Sequence, residues 1–142
     1  MKSRHRILLI IVGLTPIAIG CAKLIVPFEY AERPIYSDAV AFVSRLQADG
    51  ERDPEVIAAR YLFYGTDHQS KVPERIRVSS RRISNDTIRV RIYDPSCGDD
   101  SVYSSIDRVY LRHEFSGEWT PTRVEWSHKG RGRFGWTTEP TT

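Results

Sequence analysis

The sequence has little cysteine. Its 142 residues contain only Cys21 and Cys97, so at most one intramolecular disulfide bond can form, whereas small domains that depend on disulfides contain several. Neither His113 nor His128 has a cysteine or a second histidine at the spacing of zinc ligands. The sequence therefore excludes a disulfide scaffold and the common zinc motifs, and we expect no metal or other cofactor.

The chain also has no apolar run as long as a membrane-spanning helix, which needs about 20 residues. The longest run covers residues 7–19, about 13 residues. It follows a basic start and ends in small residues, which is typical of a secretory signal. We therefore expect residues 1–20 to be a signal peptide, or an uncleaved signal anchor, and residues 21–34 to be a tether.

The end of this run, Ala18-Ile19-Gly20-Cys21, resembles the lipobox of bacterial lipoproteins. That family prefers leucine where this chain has Ala18. The resemblance implies cleavage before Cys21, a diacylglycerol on its thiol, and an exported protein anchored to a membrane of the cell envelope. Two alternatives stay open: secretion after an ordinary signal-peptidase cut, since Ala18 and Gly20 are both small, and a single-pass protein with an uncleaved anchor.

A net charge is the third thing the chain lacks, once the leader is set aside. The whole sequence has 21 basic and 18 acidic side chains, a formal charge of +3. Lys2, Arg4 and Arg6 supply that excess, so residues 21–142 carry 18 of each sign. The high isoelectric point is therefore weak evidence for a nucleic-acid partner, and we expect none.

Two helices are predicted after the tether, because apolar residues recur there at spacings of three and four. Ser37 is the predicted N-cap of the first helix, and Gly50 ends it. Asp53 is the predicted N-cap of the second, Pro54 occupies its first position, and Gly65 ends it. The first helix has a single apolar stripe, and the second has little polar surface, which suggests that it packs against a sheet.

Beyond residue 73 the apolar period changes to two, which indicates strands. The predicted strands cover residues 74–83, 87–93, 101–115 and 119–127. The sequence thus predicts an α+β fold in which two N-terminal helices pack on a curved four-stranded antiparallel meander sheet, with residues 35–142 as a single domain. This order resembles the cystatin-like folds of small exported proteins, which implies an architecture and no activity.

The C-terminal half also resembles a group of uncharacterised small bacterial proteins. The resemblance rests on Asp99-Asp100-Ser101-Val102, Trp119, Gly130-Arg131-Gly132 and Trp136-Thr137-Thr138-Glu139. That group has cysteines near the places where this chain has His128 and Pro140, so we expect the corresponding disulfide to be absent. The group has no assigned function, and none is implied here.

The strand pattern places arginines between apolar residues. Arg75, Arg77, Arg89 and Arg91 could form a basic stripe across two paired strands. Further arginines could extend it: Arg108, Arg112 and Arg123. Such a face could bind an anionic ligand such as a glycan or a lipid headgroup. The alternative is an ordinary face of cross-strand ion pairs with Asp107, Glu114 and Glu125.

Catalytic motifs are weak. Cys97 lies among aspartates, which would raise the pKa of its thiol and disfavour the reactive thiolate. Asp67 and His68 are adjacent in a predicted loop, which does not predict an oriented acid–base pair. We therefore expect a non-catalytic exported, membrane-anchored domain that acts in envelope structure, assembly or binding. The alternatives are a binder of an anionic ligand and a small cystatin-like enzyme with a cavity under its sheet.

Overall fold

The computed structural model describes residues 29–96, 102–130 and 136–138. The predicted signal segment, Cys21 and Cys97 lie outside these residues. Seven elements follow one another in the described chain: β1 (Ala31–Arg33), α1 (Ser37–Ala48), α2 (Pro54–Leu62), β2 (Arg77–Arg82), β3 (Thr87–Asp94), β4 (Val102–His113) and β5 (Trp119–Gly130).

The sheet has five antiparallel strands in the order β1-β5-β4-β3-β2, so the prediction of a four-stranded sheet is wrong. The additional strand is β1, which falls inside the segment predicted to be a tether. Ala31 lies opposite Trp126, and Arg33 lies opposite Val124. A strand of three residues beside Pro34 has no apolar alternation to reveal it, and it exists because the edge of β5 supplies its hydrogen bonds.

The start of α2 confirms its sequence prediction, because the Asp53 side chain accepts a hydrogen bond of 2.8 Å from the Glu55 amide. The start of α1 does not. Its N-cap residue is Tyr36, which offers no side-chain hydrogen bond, and Ser37 already lies inside the helix. Gly50 has a φ of 109°, a left-handed conformation that suits glycine and ends the first helical segment.

Both helices pack on one side of the sheet, which we call the inner face. The alternation of side chains along a strand places one set of aliphatic residues there. Together with residues of the helices they form the core. The fully buried members of this core include Val43, Ile57, Ala58, Val90, Val109 and Leu111.

One buried polar side chain, Gln47 of α1, connects this helix to the first residue of β5. Its Oε1 accepts a hydrogen bond of 2.7 Å from the Trp119 amide, and its Nε2 donates one of 2.9 Å to the Trp119 carbonyl. The same Nε2 also lies 3.3 Å from the Val43 carbonyl. The glutamine amide thus satisfies both backbone groups of Trp119, much as a neighbouring strand would.

We expect Gln47→Leu to lower the free energy of unfolding by about 2 kcal/mol, because a leucine of similar size leaves two backbone groups of Trp119 without partners. Urea denaturation followed by circular dichroism measures this loss. Ser44→Ala on the exposed side of the same helix is the control, with a change within about 0.5 kcal/mol. Equal stabilities of the two variants would contradict this role of Gln47.

Candidate anion-binding face

The side of the sheet opposite the helices, which we call the outer face, carries most of the strand arginines. On β3, Ile88, Val90 and Ile92 are buried in the core, so the intervening Arg89 and Arg91 lie on the outer face. The strand register extends this assignment to neighbouring strands. The other outer-face arginines are Arg77, Arg81, Arg108, Arg112 and Arg123.

Four of these residues belong to the β2–β3 hairpin, and we call them the hairpin arginines: Arg77, Arg81, Arg89 and Arg91. None of them forms an ion pair with a described residue. Arg81 lies directly opposite Arg89 in the register. Like charges in that position repel each other and destabilise a sheet. The hairpin therefore carries concentrated positive charge that no described carboxylate compensates.

The arginines of β4 and β5 are in a different situation, because carboxylates accompany them. Glu125 lies 3.6 Å from Arg108 and 3.5 Å from Arg123, and it accepts a hydrogen bond of 2.9 Å from the Tyr110 hydroxyl. Arg112 pairs with Glu114 at 2.9 Å. This half of the outer face matches the ion-pair alternative, whereas the hairpin matches the basic-stripe alternative.

Aromatic rings on the outer face lie under arginines. The guanidinium of Arg108 is 3.6 Å from the centre of the Tyr30 ring, and that of Arg123 is 3.9 Å from the Tyr110 ring. Arg91 lies 5.2 Å from the Tyr93 ring. These cation–π contacts hold long side chains flat on the sheet and reduce the entropy they lose when a ligand binds.

The positive charges of these arginines affect the pKa of Tyr30, the residue just before β1. Burial raises the pKa of the Tyr30 hydroxyl, while the positive charges of Arg108, Arg91 and Arg89 act to lower it. Arginines from two neighbouring strands, β3 and β4, therefore contribute positive potential at one point of the outer face.

The structure brings together three of the four arginines proposed from the sequence. Arg75 is separate from them, because β2 begins only at Arg77 and the alternation does not extend further back. The Arg75 guanidinium instead makes two hydrogen bonds with the Asp94 carboxylate, of 3.1 and 3.3 Å. Sequence reasoning missed Arg81, although its spacing of four from Arg77 places both on one face of a strand.

A buried carboxyl group lies on the inner face near β1. Asp107 is 7% exposed, and its Oδ1 is 3.5 Å from Arg33 without a hydrogen bond to any described residue. Burial raises the pKa of Asp107 to about 6, against the opposite effect of Arg33 and with a smaller contribution from Asp94. Arg33 also stacks over Trp126 at 4.9 Å.

Beside this pair, His128 is also buried, and neither of its ring nitrogens is hydrogen-bonded to a described residue. It stacks on Trp126 with the ring centres 5.1 Å apart. Because no hydrogen bond joins His128 to Asp107, the two do not form the oriented pair that acid–base catalysis uses.

An apolar cavity of about 340 Å³ opens between the two helices and the β1 edge. Tyr36, Tyr61 and Leu62 contribute to its walls, and Asp38 and Arg33 also line it. None of the described residues that line it is a histidine.

The other sequence candidates are not assembled into a site. His68 packs its ring edge on Phe63 at 6.0 Å, while Asp67 lines a separate open hollow, and no hydrogen bond joins the two side chains. In the parts of the chain that the structure describes, no three metal-ligating side chains lie close enough to hold an ion.

Comparisons with protein-family models, with curated proteins and with solved structures found no match. The resemblances to lipoproteins, to cystatin-like folds and to small bacterial proteins therefore stay predictions. None of the described helices combines the length and the apolar character that crossing a membrane requires.

The pKa of Asp107 predicts an unusual dependence of stability on pH. A raised pKa means that the folded state binds the proton more tightly than the unfolded state. This group therefore favours folding most below about pH 4 and progressively less as the pH rises through about 6. We expect Asp107→Asn to be more stable than the wild type at pH 7.5, by at most about 3 kcal/mol.

Thermal unfolding at pH 4 and at pH 7.5 measures this effect. The advantage of Asp107→Asn should shrink strongly at the lower pH, where the wild-type carboxyl is protonated in the folded protein. Asp49→Asn, a change at an exposed helix end, is the control. An advantage of the same size at both pH values would contradict the assignment.

Proposed function

We propose that this chain is a non-catalytic binding domain, exported and held at a membrane, whose outer face takes an anionic ligand. The observation that carries the proposal is the set of four hairpin arginines without a described carboxylate partner. A protein that used these residues only for stability would gain from acidic neighbours of the kind that accompany Arg108 and Arg123.

The residue type supports the same function. A guanidinium presents several N–H donors in one plane and can bind carboxylate, phosphate or sulfate through two parallel hydrogen bonds. Arg91 lies on Tyr93, so one hairpin arginine is already held against the sheet before a ligand arrives. The proposal does not depend on net charge, because residues 21–142 carry equal numbers of basic and acidic side chains.

The direct test is binding of heparin, a polymer with carboxylate and sulfate groups, to the full chain in a non-ionic detergent. We expect binding that weakens as salt is added. In the double variant Arg89→Gln/Arg91→Gln it should fall at least about tenfold, equivalent to about 1.4 kcal/mol. Isothermal titration calorimetry measures both effects.

The chain offers a matched control for this experiment. Arg82 follows Arg81 on the same strand, but its register partner is the core residue Ile88, so it lies on the opposite side of the sheet. Arg82→Gln removes one positive charge from the same hairpin, half of what the double variant removes, and should keep affinity within about twofold. No binding by the wild type, or an equal loss in the control, would refute the proposal.

Attachment to a membrane through Cys21 is the second part of the proposal, supported by the lipobox-like Ala18-Ile19-Gly20-Cys21. We expect the wild type to take up labelled fatty acid and to sediment with membranes. Cys21→Ser should lose the label, whereas Cys97→Ser should keep it. A wild type without label refutes lipidation, and a Cys21→Ser protein that stays in membranes at unprocessed mass indicates the uncleaved anchor instead.

A further inference from the structure

We propose that the ligand of the outer face is a linear anionic polysaccharide that lies along the β2–β3 hairpin, parallel to its strands. This inference rests on the proposed anion-binding function and specifies its chemistry and direction. It follows from the positions of the hairpin arginines and of the nearest carboxylates. It also follows from the aromatic rings on the same face, which guanidinium groups already cover.

The hairpin arginines form a row along the strands. The register places Arg77 beside Tyr93, Arg91 beside Ser79, and Arg81 beside Arg89. Successive pairs on one face are two residues apart, or about 7 Å, so the three pairs extend over about 14 Å. Every step along the hairpin therefore offers at least one guanidinium, a spacing suited to a chain with repeated anionic groups.

The carboxylates define the direction of this chain. In the register, Arg91 is followed across the sheet by Arg108, then by Glu125 and Glu32. A polyanion that crossed the strands in this row would approach these two glutamates and would be repelled. A polyanion that ran along the hairpin would contact the arginines and stay away from Glu125, which is engaged by Arg108 and Arg123.

The aromatic rings argue against single-stranded nucleic acid as the occupant. Such ligands gain much of their affinity when bases stack on exposed aromatic faces. Tyr30, Tyr93 and Tyr110 each already have a guanidinium over the ring, and Tyr110 is also buried. The hairpin therefore offers charge and hydrogen bonds but no uncovered stacking platform.

The surface between the arginines also argues against an acidic peptide. Peptides are recognised through pockets for side chains or through hydrogen bonds added to a strand edge. The residue between Arg77 and Arg81 on the outer face is the small polar Ser79, which forms no pocket for a side chain. The backbone of β3 is paired on both sides, with β2 and with β4. A peptide added to the open edge of β2, the outermost strand, would extend the sheet sideways and would not lie over the arginines of β3. Hydroxyl groups and regularly spaced acidic groups on a sugar chain match such a surface.

The experiment measures how affinity depends on the length of the ligand. Heparin-derived oligosaccharides of increasing length are titrated into the full chain in non-ionic detergent at several salt concentrations. We expect affinity to rise with length until the oligosaccharide spans about 14 Å and then to level off. A plot of log affinity against log salt should have a negative slope of about three to four in magnitude for the longest oligosaccharide. This magnitude should decrease by about one for each hairpin arginine changed to glutamine.

A substitution at one end of the row, tested with short and long oligosaccharides, tests the direction. Arg77 lies at one end of the row, and the Arg81–Arg89 pair lies at the other. Arg77→Gln should weaken a long oligosaccharide about fivefold and leave a disaccharide, which can bind at the opposite end, within about twofold. Arg82→Gln should change neither. Urea denaturation of each variant establishes that it is folded.

The outcomes separate the inference from the function on which it rests. If no oligosaccharide or other polyanion binds, the proposed function is wrong. If oligosaccharides bind equally at every length, or if Arg77→Gln affects short and long ones alike, the linear arrangement is overturned. If an oligothymidylate of equal charge binds as tightly, the assignment to a polysaccharide is overturned while anion binding stands.

Discussion

The alternation of side chains along β3 is the constraint on which the rest of the structure depends. This strand is paired on both sides and supplies Ile88, Val90 and Ile92 to the core. Because the period of a strand is two, burying these three residues leaves Arg89 and Arg91 no position except the outer face. A shift of the register by one residue would bury guanidinium groups under the helices. The register that buries the apolar residues is therefore the same one that places the arginines on the outer face.

The sequence predicted the elements that carry strong local signals. Asp53 and Pro54 defined the start of α2, and the alternation along β3 was correct because that strand has one buried face. It did not predict β1, whose three residues depend on hydrogen bonds to a strand more than 90 positions later. Nor did it predict the cap of α1, because the hydroxyl of Ser37 offered a plausible cap that the helix does not use.

The charged face shows where prediction from sequence stops. Alternation indicates which arginines share a face, but only the register of the paired strands shows which carboxylates lie opposite them. Glu125 could have accompanied any outer-face arginine, and its position on β5 directs it to Arg108 and Arg123. Arg75 is two residues from Arg77, yet Asp94 holds it away from the group. The difference between compensated and uncompensated arginines is therefore a tertiary property.

The strand order has a consequence for how this domain would present itself when held by its N-terminal segment. The chain enters the described fold at β1, one outermost strand, whereas β2 is the outermost strand on the other side. Four steps between neighbouring strands separate them, a distance of about 19 Å. A domain held through residues before Ala31 would thus carry its hairpin arginines on the side of the sheet remote from the attachment. They would be the part of the sheet best placed to meet molecules beyond the surface that holds the domain.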